Sequence, residues 1–179
     1  MNSVRFSDYI LCVFQFLICF AIVGCGKNNQ SSNHSDPNAF LIIPMERVGL
    51  IKAGMTLDEV EKVLGPSNDP TFGSGKQRRE YPKLGLTIKL VSDGSRKVES
   101  VQCGSLDPND NLVKSNKHQT EEKLGIGSSR DKVIETYGQP SRIKDDWAGT
   151  SPEEALYYDS LGIRFFITSG KVHQIIVIF

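Results

Sequence analysis

Few side chains in this sequence stand at spacings that could carry a reaction. Ser129 and Lys132 have the Ser-x-x-Lys spacing in which a neighbouring amine activates a hydroxyl for acyl transfer. The companion signals are absent: there is no Lys-Thr-Gly, and Ser92-Asp93 is followed by Gly94 rather than Asn. Placed just ahead of an amphipathic run, Ser129 reads as a helix cap. His34, His118 and His173 are scattered, share no metal-ligand spacing, and read as surface or edge residues. Asp107, Asn109 and Asn111 alternate as in a calcium loop, but Leu112 and His118 stand where that loop needs Gly and Glu. The expectation is therefore a protein that is not an enzyme and uses no cofactor or metal.

The residue whose chemistry stands out is a cysteine. Tyr9 to Val23 is almost wholly apolar, too short to span a bilayer but of the length of a secretory signal core. Ile22, Val23, Gly24 and Cys25 close it and resemble the bacterial lipobox, in which the thiol accepts a diacylglyceryl group and cleavage follows the small residue. The resemblance implies a signal peptide over 1–24 and lipidation of Cys25, with two or three acyl chains to hold the protein at a membrane. Residues 25–39 read as a lipidated flexible tether, since they contain almost nothing apolar to bury. Such a tether reaches ~20 Å. Gly26 stands where an Asp would imply inner-membrane retention, so the periplasmic face of the outer membrane is favoured. Cys12 and Cys19 would leave with the signal peptide, so Cys103 has no intrachain partner and reads as a small buried hydrophobe.

Composition supports a folded domain behind that anchor. Hydrophobic residues make up 39% and charged residues 23%, ordinary globular values. Lys plus Arg equals Asp plus Glu at 21 each, and no basic run exists, which argues against a nucleic-acid partner.

The elements that must position any site come in two similar sets. Gly54, Val60 and Gly65 match Gly127, Val133 and Gly138 at one constant offset. Tyr81, Leu84 and Gly85 match Tyr158, Leu161 and Gly162, and Gly94, Lys97 and Val98 match Gly170, Lys171 and Val172. In the first set, Thr56 and Glu59 form a capping box before an apolar face of Leu57, Val60, Val63 and Leu64, and Gly65-Pro66 ends the helix. In the second, Ser128 or Ser129 caps, and Gly138 with Pro140 ends it. Strands follow: Leu86, Ile88 and Leu90 alternate with Thr87 and Lys89, and Ile163, Phe165 and Ile167 alternate with Arg164 and Thr168. The last run, 175–179, is apolar on both sides and reads as a central or covered strand. The fold class is α+β: two tandem units, 40–104 and 123–179, each with helix packed on a three- to four-stranded antiparallel sheet, joined by a polar connection over 105–122.

The stretch Gly54-Met55-Thr56-x-x-Glu59-Val60, continuing to Leu64-Gly65-Pro66, resembles the start of the small outer-membrane-assembly lipoproteins, the SmpA/OmlA family. Two such units in tandem resemble the β-lactamase inhibitory proteins. The first resemblance implies a lipid-anchored α+β unit and an accessory role in outer-membrane assembly. The second implies a concave sheet that grips an exported hydrolase.

The solvent face of the sheet is the candidate site. It is expected to present Thr87, Lys89, Tyr157, Arg164, Phe166, Thr168 and His173, and mixed aromatic and Arg character suits protein contacts. Lys89, Arg164 and Phe166 are the candidate partner-binding residues, with Trp147 as a loop anchor. The expected function is a membrane-anchored, non-catalytic module that binds another envelope protein through this face. The alternatives are an inhibitor of an exported hydrolase and an accessory subunit of outer-membrane assembly.

Overall fold

The computed structural model describes residues 36–68, 77–107, 109–145 and 154–179, all within one compact unit. The tether up to residue 35, Cys25 and Trp147 lie outside the described residues.

The described residues open with three short strands, β1 (Leu41–Ile43), β2 (Arg47–Val48) and β3 (Ile51–Lys52), followed by helix α1 (Leu57–Leu64). Thr56 Oγ1 accepts from the Glu59 amide while Glu59 Oε2 accepts from the Thr56 amide at 2.8 Å, so the expected capping box is present. Strands β4 (Arg78–Tyr81), β5 (Leu86–Leu90) and β6 (Val98–Gly104) form an antiparallel meander, with a tight turn Pro82–Leu84 between β4 and β5. Helix α2 (Asn111–Ser115) and strand β7 (Gln119–Thr120) come next, then helix α3 (Arg130–Tyr137), capped by Ser129. Strands β8 (Arg142–Asp145), β9 (Glu154–Tyr158), β10 (Ile163–Thr168) and β11 (Lys171–Ile178) complete the chain. Ser169 and Gly170 both take positive φ, which matches the right-handed twist of the β10–β11 hairpin.

The fold is α+β, its helices packed against two mostly antiparallel sheets. The order of the larger sheet is β4-β5-β6-β11-β10-β9-β8, and of the smaller β3-β2-β1-β7. Two separate sheets of three to four strands were the expectation; the strands instead join edge to edge. β6 and β11 pair antiparallel through Val101↔Val177 and Cys103↔Ile175. The cause is legible in β11: a strand apolar on both sides needs a neighbour along each edge, and β6 supplies the second. The stretch 105–122 also departs from expectation. It carries α2, and β7 pairs in parallel with β1, closing the smaller sheet.

One face of the large sheet faces the helices. Ile88, Val101, Leu156, Ile163, Phe165, Ile175 and Val177 are fully buried there, with Leu57 and Val60 of α1 and Val133 of α3 packed against them. Cys103 is among them, and burial pushes its thiol up to about 12, which makes it an inert core residue.

Candidate functional site

The face away from the helices is built by period-two alternation. Cross-strand register lines up Glu80, Thr87, Gln102, Ile176, Arg164, Tyr157 and Arg142 in one row across all seven strands. Rows beside it hold Arg78, Lys89 and Ser100 at one end, and Gln174, Phe166, Ala155 and Lys144 at the other.

The centre of the row is a stack. Arg142 and Arg164 flank Tyr157 as its direct neighbours on β8 and β10, with guanidinium carbons 4.1 and 5.0 Å from the ring centroid. The tyrosine face attracts both cations and restrains where they sit. Asp159 receives Arg142 Nε at 3.1 Å, which holds that guanidinium charged and fixes its orientation. Arg164 is half-buried, and its Nε has no hydrogen-bond partner among the described residues. Phe166 meets Tyr157 edge-on at 6.5 Å, and with Ala155 forms a small second core flanked by Leu106 and Ile176.

The structure thus brings Lys89, Arg164 and Phe166 onto one face, but their exposure differs from expectation. Lys89 is exposed and pairs with Glu99 at 2.9 Å. Phe166 is only 5% exposed, and Thr87, Tyr157 and Thr168 are also buried. This face is therefore partly covered rather than uniformly solvated; alternation assigns a side chain to a side of the sheet and says nothing of what lies over it. Arg142 and Lys144 stand at the exposed β8 edge, where no local sequence pattern marks them. The signal for Arg142 was its position opposite Tyr157, which only strand register reveals.

The remaining chemical candidates are engaged elsewhere. Ser129 Oγ accepts from the Lys132 amide at 3.2 Å, and Lys132 Nζ pairs with Glu135, so the Ser-x-x-Lys pair serves as a helix cap and an ion pair. Asp107 Oδ1 accepts from the Asn109 amide in a local turn. His173 sits half-buried on β11. His118 corrects the surface expectation outright: it is 3% exposed.

No family model and no curated protein matches this chain. Among solved structures it is similar to the crystal structure of a DUF4309 family protein (YjgB) from Bacillus subtilis subsp. subtilis str. 168, at 11% identity and a TM-score of 0.45, over 75% of this chain and 86% of that one.

Proposed function

We propose that this protein is a lipid-anchored, non-catalytic binding module of the cell envelope that docks another envelope protein on the outer face of its seven-stranded sheet. The observation that carries the reading is the Arg142–Tyr157–Arg164 stack. Two guanidinium groups ordered by one aromatic ring present planar donors at low entropic cost, the composition of interface hot spots. Arg78, Lys89, Arg142, Lys144 and Arg164 stand on this face with Glu80, and Glu99 and Asp159 pair with Lys89 and Arg142, so cations still outnumber acids here while the whole chain is neutral. The partner's surface is accordingly acidic. An exported hydrolase with an acidic rim would also suit it, which keeps the inhibitor reading as the second.

The anchor is Cys25, at the lipobox-like stretch, and the membrane favoured is the outer one. The folded part is read as two copies of one unit, of the kind the small assembly lipoproteins carry singly. Paired details support this. Leu57 and Val98 amides donate to Arg96 and Met55 carbonyls; Arg130 and Val172 amides donate to Gly170 and Ser128 carbonyls. Tyr81 and Tyr158 hydroxyls donate to the helix-ending carbonyls of Gly65 and Gly138.

The test is affinity recovery from detergent-solubilised envelope, comparing wild type with Arg142→Glu/Arg164→Glu. A discrete acidic partner should accompany the wild type and fall at least tenfold with the double variant. Equal recovery would contradict the reading. Labelling with a palmitate analogue should mark the wild type and leave Cys25→Ser unmarked.

A further inference from the structure

A concavity lies between α1, the small sheet and the Pro82–Leu84 turn. Its volume is about 600 Å³, and its walls include Phe40, Leu64, Tyr81 and Leu86, with His118 and one charge of each sign, Glu80 and Lys83, among them. That volume is within the range of small-molecule sites, as is a mostly apolar wall with few polar groups.

His118 is the polar group that the packing leaves unanswered. Asn116 Nδ2 donates to the Gly85 carbonyl at 2.9 Å and its Oδ1 receives the His118 amide, so the backbone before β7 is fastened to the turn. Phe40 meets the imidazole edge-on at 5.4 Å. A β-carbon at Gly49 would stand 2.5 Å from the Ala39 carbonyl oxygen and 3.1 Å from His118 Nε2, so the ring is held against bare backbone. Yet Nδ1 has no hydrogen-bond partner among the described residues. An unanswered buried nitrogen costs stability unless something supplies its hydrogen bond.

The matching place in the second half explains why the room exists. Leu64, at the end of α1, corresponds to Tyr137 at the end of α3. Tyr137 lies 5.5 Å from Tyr158 and 5.8 Å from Phe165, ring centre to ring centre, and fills that region. Leu64 leaves it open beside Tyr81.

We infer that this pocket binds an uncharged, mostly hydrocarbon small molecule carrying one hydroxyl or N–H group, which the imidazole of His118 answers. Burial alone pushes the His118 pKa down to about 4, so the ring is neutral at pH 7 and offers no countercharge to an acid. The site meets the sheet face only at Glu80 and does not depend on the partner proposed for that face.

The probe is N-phenyl-1-naphthylamine, three aromatic rings and one N–H, titrated by fluorescence into the full chain held in amphipol. Its sulfonated analogue, 1-anilinonaphthalene-8-sulfonate, tests charge. The expected result is saturable one-to-one binding of the uncharged dye, at least tenfold tighter than the sulfonate. Leu64→Tyr should abolish that binding by filling the pocket. Val63→Trp, at an exposed wall position that tolerates change, should weaken it at least tenfold without loss of fold. His118→Phe should weaken the uncharged dye several-fold. Absence of saturable binding, or binding that both filling variants leave unchanged, would overturn the inference, as would tighter binding of the sulfonate.

Discussion

The two halves of the large sheet carry helices of equal length, α1 and α3, but they fill the space beneath those helices differently. Under α3, Tyr137, Tyr158 and Phe165 form an aromatic cluster with ring centres 5.5–6.0 Å apart. Under α1, the corresponding places are Leu64, Tyr81 and Ile88, and a cavity opens beside Leu64 and Tyr81. One substitution type, aliphatic for aromatic, separates a packed half from a pocketed one. The backbone bonding around the two helices is alike, so the difference belongs to side-chain volume and to the small sheet that walls the cavity beside α1.

The comparison breaks most visibly at Phe165. It is fully buried and touches two other rings, so Phe165→Ala should cost about 3–5 kcal/mol in denaturant unfolding. Leu64→Tyr, which places the second half's aromatic in the first half's space, should cost less than about 1.5 kcal/mol, because room is available. A loss as large as that at Phe165 would show the first half to be packed as tightly as the second.

The next effect is a pH dependence confined to the pocketed half. His118 has a folded pKa of about 4 against an ordinary value near 6.5, through burial. The unfolded chain therefore takes up its proton first. The stability this residue contributes is complete above about pH 6.5 and is lost as pH falls toward about 4. Between pH 7 and pH 5 the loss should be about 2 kcal/mol, and His118→Phe should remove that part of the slope. An unchanged slope would place the imidazole in water.

Helix caps give a smaller contrast. Thr56→Ala removes the hydroxyl of a reciprocal box, whereas Ser129→Ala removes a one-way bond. Each should cost about 1 kcal/mol, with the larger loss at Thr56. The smallest pair is Tyr158→Phe and Tyr81→Phe. The hydroxyl bonds are 2.9 and 3.3 Å long, so the first should cost about 1 kcal/mol and the second less.

Local signals in the sequence read well wherever the cause was itself local. Thr56 and Glu59 specify their cap by chemistry three residues apart, and Gly65 and Gly138 end their helices with positive φ, as a C-terminal glycine permits. The interior place of β11 followed from its two apolar sides. Long-range causes were out of reach. β1, β2, β3 and β7 are two or three residues long, too short for a period to show, and the parallel β1–β7 pair joins residues far apart in the chain. His118 looks like a surface residue by type; its burial is decided by Phe40, Gly49 and Asn116, which meet it only in the folded chain. The stack around Tyr157 needed the register of three strands, and no single stretch of sequence contains it.

The central claim is that the outer sheet face recognises a partner. It is tested most directly by photocrosslinking in intact cells, with p-benzoylphenylalanine placed at Ser100 on that face and, as the control, at Glu135 on the exposed side of α3. The account predicts one discrete adduct from position 100, lost when Arg142 and Arg164 are changed to Glu, and none from position 135. Equal adducts from both positions, or an adduct from position 100 that survives the charge reversal, would contradict it.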